Sequence, residues 1–249
     1  MKKLLIFGLM IRIVFLPFCV ASAQIIGEDT ETMHFDKASL EKGLHWFSRD
    51  KALMLVISPK LFNIEVNLTV NTYKIDGLAF PKGWQAVSKI YEFSFSSAAQ
   101  LNYQHQTIMQ IFANSDIMDL KKIFKWNETV GQWEQIDSSS RDLKSARAKI
   151  ALSGGKYVML KNDKIMEFGA ASWYKYKNCD CAASPDYPKG TKLKVTNLEN
   201  GKSVIVKIND WGPERDKHPD RVIDLDKTAF KKLGYLSRGI LKMVKVEKI

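Results

Sequence analysis

Apolar positions recur along this chain in short runs rather than at helical spacing. Between residues 52 and 166 the runs are 53–57, 62–70, 90–95, 108–112, 123–126, 148–152 and 157–160. Each is the length of a strand and rich in β-branched or aromatic residues. Ser-Pro, Asp-Gly, Pro-Lys-Gly and Ser-Gly-Gly turns separate them. This rhythm predicts an antiparallel β-sandwich over residues 24–166. Phe80-Pro81-Lys82-Gly83-Trp84 and Gly131-Gln132-Trp133 read as loop-to-strand corners, each burying a Trp. Residues 27–50 differ, because Leu40, Leu44, Trp46 and Phe47 are spaced as on a weak helix. Asn162-Asp163-Lys164 reads as a turn just before a domain boundary near residue 166.

The last third has a cleaner pattern. Strands are predicted at 170–174, 192–196, 203–209, 221–223 and 242–247. In the third of these, Val204, Val206 and Ile208 alternate with Ser203, Ile205 and Lys207, which places one face in a core. One helix is well marked. Asp226 is its N-cap, residues 227–233 its body and Gly234 its stop.

The N-terminus carries a different signal. Lys2 and Lys3 precede an apolar stretch, 4–20, and Ala21-Ser22-Ala23 has the form of a cleavage site. These features predict a signal peptide cut after about Ala23, hence an exported protein. Pro17 and Phe18 stand where a lipoprotein signal before Cys19 wants small residues, so lipidation is not expected. No later run approaches the roughly 20 apolar residues of a membrane span, so no transmembrane segment is expected after cleavage.

Charge narrows the partner. The chain carries a formal net charge of +11, and residues 168–249 hold 17 Lys/Arg against 10 Asp/Glu while residues 24–167 hold 18 against 17. A basic C-terminal third points to a polyanion, and export excludes nucleic acid in favour of an acidic wall polymer or anionic lipid. Cys179 and Cys181 flank a single residue, a separation at which a bridge is strained and staples almost nothing, so free thiols are the expectation. His34, His45, His105 and His218 lack ligand spacing, so neither a metal nor another cofactor is expected.

The motifs of the last third lie in a recognisable order. They are Gly169-Ala-Ala-Ser-Trp-Tyr174, Pro188-Lys-Gly-Thr-Lys-Leu-Lys-Val-Thr-Asn197, Asn200-Gly-Lys-Ser-Val204, Asn209-Asp-Trp-Gly-Pro213 and Arg221-Val-Ile-Asp-Leu225. Together with the 227–233 helix and Val244-Lys-Val-Glu247, this set resembles the rare lipoprotein A (RlpA) family over about residues 168–249. The resemblance implies a six-stranded double-psi β-barrel with one short helix. It also implies a groove for peptidoglycan glycan strands and lytic transglycosylase activity, with the catalytic Asp of the family's Asn-Asp-x-Gly-Pro motif at Asp210. Two features depart from the family. Trp211 replaces the usual Arg, and the segment that normally supplies a Glu and a His is reduced to 175–181, with Ser184 where the His would stand.

Cleaving a glycosidic bond needs a proton for the leaving oxygen and stabilisation of an oxocarbenium-like centre. If the sugar's own 6-hydroxyl attacks, forming a 1,6-anhydro end, one carboxyl group can serve as acid and then as base, provided its pKa is raised. From its residue context alone, Asp210 is either that group or a turn-capping Asp, whose pKa would be lowered. Asp224 either faces the same groove, or pairs with Arg221 or with a backbone amide at the start of the helix. Trp211, Tyr174 and Tyr176 are candidates to stack on sugar rings. Asp180 and Asp186 could replace the missing Glu, and His218 could be a second acid/base if its loop covers Asp210. Three readings follow: a wall-cleaving enzyme, a wall-binding or expansin-like loosening module without turnover, and an envelope protein-interaction module that uses the sandwich as its surface.

Overall fold

The computed structural model describes residues 26–96, 107–150 and 154–249. The signal-peptide features and residues 151 and 152 of the run at 148–152 lie outside these residues. The first part of the chain comprises β1 (Ile26–Phe35), α1 (Lys37–Lys42), β2 (Leu44–Phe47), β3 (Leu53–Ile57), β4 (Val66–Lys74), β5 (Trp84–Ala86) and β6 (Ile90–Phe95). It continues with β7 (Thr107–Phe112), β8 (Asp119–Asn127), β9 (Gln132–Gln135), β10 (Ser138–Ser140), β11 (Ser145–Ile150) and β12 (Gly155–Met166).

These strands form two sheets. One runs β1-β4-β6-β12-β8-β9 with β5 beside β12, and the other runs β10-β11-β7-β3-β2. Leu68, Val70, Phe93 and Tyr157 from the first meet Leu53, Leu55, Met109 and Ile111 from the second in one buried core. The sandwich expected from the sequence pattern is therefore present. Residues 157–160 are buried at every position. A strand with one wet face would alternate, but here the outer face of the first sheet is also covered. Ile90, Phe124, Trp133, Val158 and Leu160 pack under Phe80 and Trp84 from the 75–86 segment.

Two local expectations fail. The helical spacing at 40–47 is a coincidence of a short helix and a strand. Asp36 caps α1 through Ser39, and Gly43 ends it at φ 74°. A Cβ at Gly43 would lie 2.8 Å from Pro59, so the chain must break there and Leu44–Phe47 pairs with β3. Asn162-Asp163-Lys164 is also not a turn between strands. It lies within β12, at a register irregularity between Asn162 and Met166 opposite β8.

After Met166 comes Glu167 and then the second set of elements. These are β13 (Phe168–Tyr174), β14 (Cys181–Ala183), β15 (Lys192–Asn197), β16 (Ser203–Asp210), β17 (Arg221–Asp226), α2 (Lys227–Leu233) and β18 (Ile240–Lys248). The strands close in the order β13-β17-β14-β16-β15-β18. Two neighbouring pairs are parallel, β13 with β17 and β14 with β16. Val204, Val206 and Ile208 fill the interior as their alternation predicted, joined by Leu193, Val195, Leu225, Val244 and Val246. Ala229, Phe230 and Leu233 of α2 are buried against the same core.

The helix ends add two points. Gly234 has extended backbone at φ −173°, so it is not a left-handed cap. Glycine is needed there because a Cβ would come 2.9 Å from Leu241. Asp226 does more than cap α2. Its buried carboxylate accepts Thr228 N–H (2.8 Å) and also Tyr176 N–H (3.1 Å), fastening the 175–180 segment to the helix start. Cys179 and Cys181 in that segment form a disulfide, which corrects the expectation of free thiols. Burial pushes the Asp226 carboxyl up, but the backbone amides of Thr228, Tyr176 and Asn178 outweigh it and hold the pKa below 3.8.

Asp226→Ala removes the cap and leaves buried amides unpaired. It is expected to lower unfolding free energy by about 2 kcal/mol or more in denaturant titrations. Asp226→Asn, which keeps one acceptor oxygen, should cost less. Because the folded pKa is depressed, the wild-type contribution is present above the unfolded pKa and disappears as pH falls through the folded one.

Candidate active site

Four strands of the barrel bring one residue each into a single row. Ser172 of β13 pairs with Asp224 of β17, Asp224 pairs with Ala183 of β14, and Ala183 pairs with Asp210 of β16. Residues that pair directly across strands share a face, so both aspartates project on the same side of the barrel wall. Neighbouring strands lie about 4.8 Å apart, which puts the two aspartate Cα atoms roughly 10 Å apart across Ala183. The two carboxylates stand on successive strands and are matched across Ala183 of β14.

Their environments differ. Asp224 is half-buried, with its side chain 21% exposed. Ser172 donates its hydroxyl to Asp224 Oδ1, and Arg221 stands 3.7 Å from the same oxygen. Gly212 lies over this carboxylate. A Cβ there would sit 3.7 Å from Ala183 and 3.8 Å from Asp224 Oδ2, and its φ of 139° is a conformation only glycine adopts freely. The bond that follows, Gly212-Pro213, is cis. Both expected partnerships of Asp224 are thus present: it faces the row with Asp210 and it pairs with Arg221.

Asp210 is open to solvent, with its side chain 62% exposed. Its Oδ1 accepts the N–H of Trp211 at 2.9 Å and meets Lys189 Nζ at 3.3 Å. The Trp211 amide first, and the Lys189 ammonium second, hold its pKa below the usual carboxylate value. This is the sign that turn capping predicts. Asp210 is therefore ionised at neutral pH, and on its own it makes a better base or cation stabiliser than a proton donor.

Aromatic groups border the row. Tyr174 donates its hydroxyl to Asn209 Oδ1 at 2.9 Å. Burial raises the Tyr174 pKa, the Asn209 contact opposes this, and the charges of Asp226, Asp210 and Asp224 add to the rise. The Tyr176 ring centroid is 6.3 Å from that of Tyr174, and Tyr176 is exposed. Trp211 is 61% exposed beside Asp210. Trp173, on the opposite side of the strand from Tyr174, packs on the barrel core and donates to Leu236 O.

The remaining candidates have other partners. Asp186 is buried in a two-point contact with Arg215, and Asp180 pairs with Lys232 at 2.7 Å. Neither joins the row, so neither replaces the missing Glu. His218 is exposed on the loop after Pro213, its amide bonded to Glu214 O, and the groups acting on Asp210 are Trp211 and Lys189. Ser184, in place of the family's His, is buried, and its N–H donates to the Asp210 carbonyl at 3.2 Å. Cys179, Cys181 and Asp226 are close enough to suggest a metal ligand set. The sulfurs are spent on the disulfide and the carboxylate on backbone amides, so the group does not fit a metal. Sequence reasoning missed Ser172, Asn209 and Lys189. The first two stand in the quoted motifs, but nothing in their spacing shows that they face the aspartates.

Residues 167–246 match the protein family described as "Lytic transglycolase". Similar proteins include the endolytic peptidoglycan transglycosylase RlpA of Neisseria meningitidis, 36% identical over 122 residues, which cover 42% of this chain and 48% of that protein. The protein of the same name from Pseudomonas aeruginosa is 45% identical over 95 residues, 32% of this chain and 27% of that one. That from Vibrio cholerae is 38% identical over 103 residues, 35% and 38% respectively. The chain spans about half the length of the first of these relatives and less of the other two. Its C-terminal third is an RlpA-like double-psi β-barrel.

The electrostatics of Asp210 are directly measurable. In a carboxyl-carbon NMR titration, Asp210 should titrate below 3.8, and Lys189→Ala should move the midpoint upward. An Asp210 midpoint above that of an ordinary Asp would contradict the geometry.

Proposed function

We propose that this chain is an exported cell-envelope protein whose barrel, residues 167–249, cleaves peptidoglycan glycan strands as a lytic transglycosylase. Residues 24–166 then form an accessory sandwich and residues 1–23 a signal peptide. The observation that carries the proposal is the row Ser172–Asp224–Ala183–Asp210, bordered by Tyr174, Tyr176 and Trp211. The likeness of the barrel to proteins named endolytic peptidoglycan transglycosylase supports the substrate class.

The two carboxylates divide the chemistry. Ionised Asp210 stabilises the oxocarbenium-like centre and takes the proton of the sugar's 6-hydroxyl as the anhydro ring closes. Asp224, sheltered by Gly212, is the second carboxylate of the row and delivers a proton to the leaving oxygen only in its protonated form, which burial under a bound glycan favours and Ser172 and Arg221 oppose. A single Asp210 serving both roles would need a raised pKa, whereas its pKa is lowered. Trp211 and Tyr176 offer exposed rings for sugars, Tyr174 offers a hydroxyl held by Asn209, and Arg221 offers a cation near Asp224. Lys189 and its neighbouring lysines attract the acidic wall polymer.

A second reading is a wall-binding module without turnover. It is favoured by the 175–181 segment, which carries neither the family's Glu nor its His and whose Asp180 is paired with Lys232. Digestion of purified peptidoglycan by residues 24–249, with products identified by mass spectrometry, separates the two. Released 1,6-anhydro muropeptides are expected from the wild type. Asp210→Asn and Asp224→Asn should each lower their yield by on the order of 100-fold or more. Absence of anhydro products at high enzyme, with wall binding retained, would establish the second reading instead.

A further inference from the structure

The loop between β16 and β17, residues 211–220, forms one wall of the row. It starts with Trp211, covers Asp224 with Gly212, and is largely exposed from Asp216 to Asp220. Its internal bonds are few, chiefly Lys217 and His218 N–H to Glu214 O. Its far end is tied to β13 by the Asp220 carbonyl, which accepts Ala170 N–H at 2.8 Å, and its middle is fastened by Arg215. The guanidinium grips the Asp186 carboxylate at two points, Nη1 to Oδ1 at 2.7 Å and Nη2 to Oδ2 at 2.5 Å. The Asp186 side chain is only 4% exposed.

The same carboxylate has a third partner. Asp186 Oδ2 accepts the N–H of Met166, the last residue of sandwich strand β12, at 3.0 Å. One buried anion therefore joins the sandwich backbone to the wall of the candidate active site. Planar two-point contacts between Arg and carboxylate fix direction as well as distance. Deleting the carboxylate would leave a guanidinium and a backbone amide without their acceptor, so the anchor is strong in the sense that its loss is costly.

We infer that Asp186 is a positioning residue: it indexes the Trp211–Gly212 wall of the groove to the sandwich, so that the accessory domain sets the shape of the site it does not contact directly. The mechanical part stands on the three hydrogen bonds alone. The consequence for substrate rests on the peptidoglycan reading. Asp186 and Arg215 touch none of the proposed reacting groups, so they act on substrate only through the Trp211–Gly212 wall, which meets Asp210 and Asp224.

Hydrogen exchange by mass spectrometry on the whole chain tests the anchor, with peptidoglycan sedimentation and turnover measured on the same samples. Asp186→Asn should speed exchange in 211–220 at least about tenfold while exchange in α2 stays at the wild-type rate. Its KM for wall material should rise several-fold, and kcat should fall with it, because the loosened loop carries Gly212 over Asp224 and the Trp211 amide on Asp210. Arg215→Lys, which keeps the charge and one contact, should fall between the two, and it supplies the test if Asp186→Asn does not fold. Unchanged exchange in 211–220 in the variants overturns the anchor. Faster exchange with wall affinity and KM unchanged overturns the positioning role. If the wild type neither binds nor cleaves peptidoglycan, the functional reading fails while the exchange result still decides the anchor.

Discussion

A single residue, Glu167, separates the sandwich from the barrel, and its buried carboxylate holds both. Ser140 of the sandwich donates its hydroxyl to it, and Lys245 of barrel strand β18 stands 3.8 Å away. Lys245 also donates to the Ser140 carbonyl at 2.8 Å. The Glu167 and Phe168 amides both bond to Met118 O, while the Glu167 carbonyl receives Val246 N–H. Lys121 is fully buried beside them, donating to Ile117 O and lying 4.7 Å from the centroid of the Phe168 ring. Burial lowers its pKa to about 8 against the opposing pull of Glu167. Burial likewise raises the Glu167 pKa, with Ser140, Lys245 and Lys121 resisting. Breaking such a buried pair by removing one partner typically costs about 3–5 kcal/mol. The two β units are therefore joined by an ionic junction as well as by the chain.

That junction gives the rest of the molecule its geometry. Strand β12 enters it at Met166, whose amide is held by Asp186, and β13 leaves it towards Ser172 and Tyr174. Two consecutive strands thus run from the sandwich core to the row of the candidate site. The register of β13 against β17 then places Ser172 opposite Asp224.

The barrel uses its carboxylates in two ways, and burial separates them. Asp186 and Asp226 are spent on structure, each with backbone amides among its partners and no open face. Asp210 is exposed and anchored at one oxygen only, and Asp224 is half-open under a glycine. A sugar can approach the second pair but not the first. The proposed chemistry at Asp210 and Asp224 rests on this difference in exposure.

Alternation made much of the barrel legible. Val204, Val206 and Ile208 could fill only one face, and Asp226 ahead of 227–233 read as a cap, though not as the acceptor that also holds Tyr176 N–H. The sandwich strands with dense apolar runs were legible for the same reason. Edge or small-residue strands such as Ile26–Phe35, Ser138–Ser140 and Cys181–Ala183 were not, because little of their surface must leave water or their side chains are too small to show a period. By itself the sequence determined which residues are apolar and how often they recur, and hence two β units and one capped helix. Only the tertiary structure decided which polar residues meet. Ser172, Ala183, Asp210 and Asp224 become neighbours through register between strands far apart in the chain, and Asp186 finds Arg215 and Met166 through the docking of two units. Such pairings depend on distances that close only when the whole barrel does, and no local pattern encodes them.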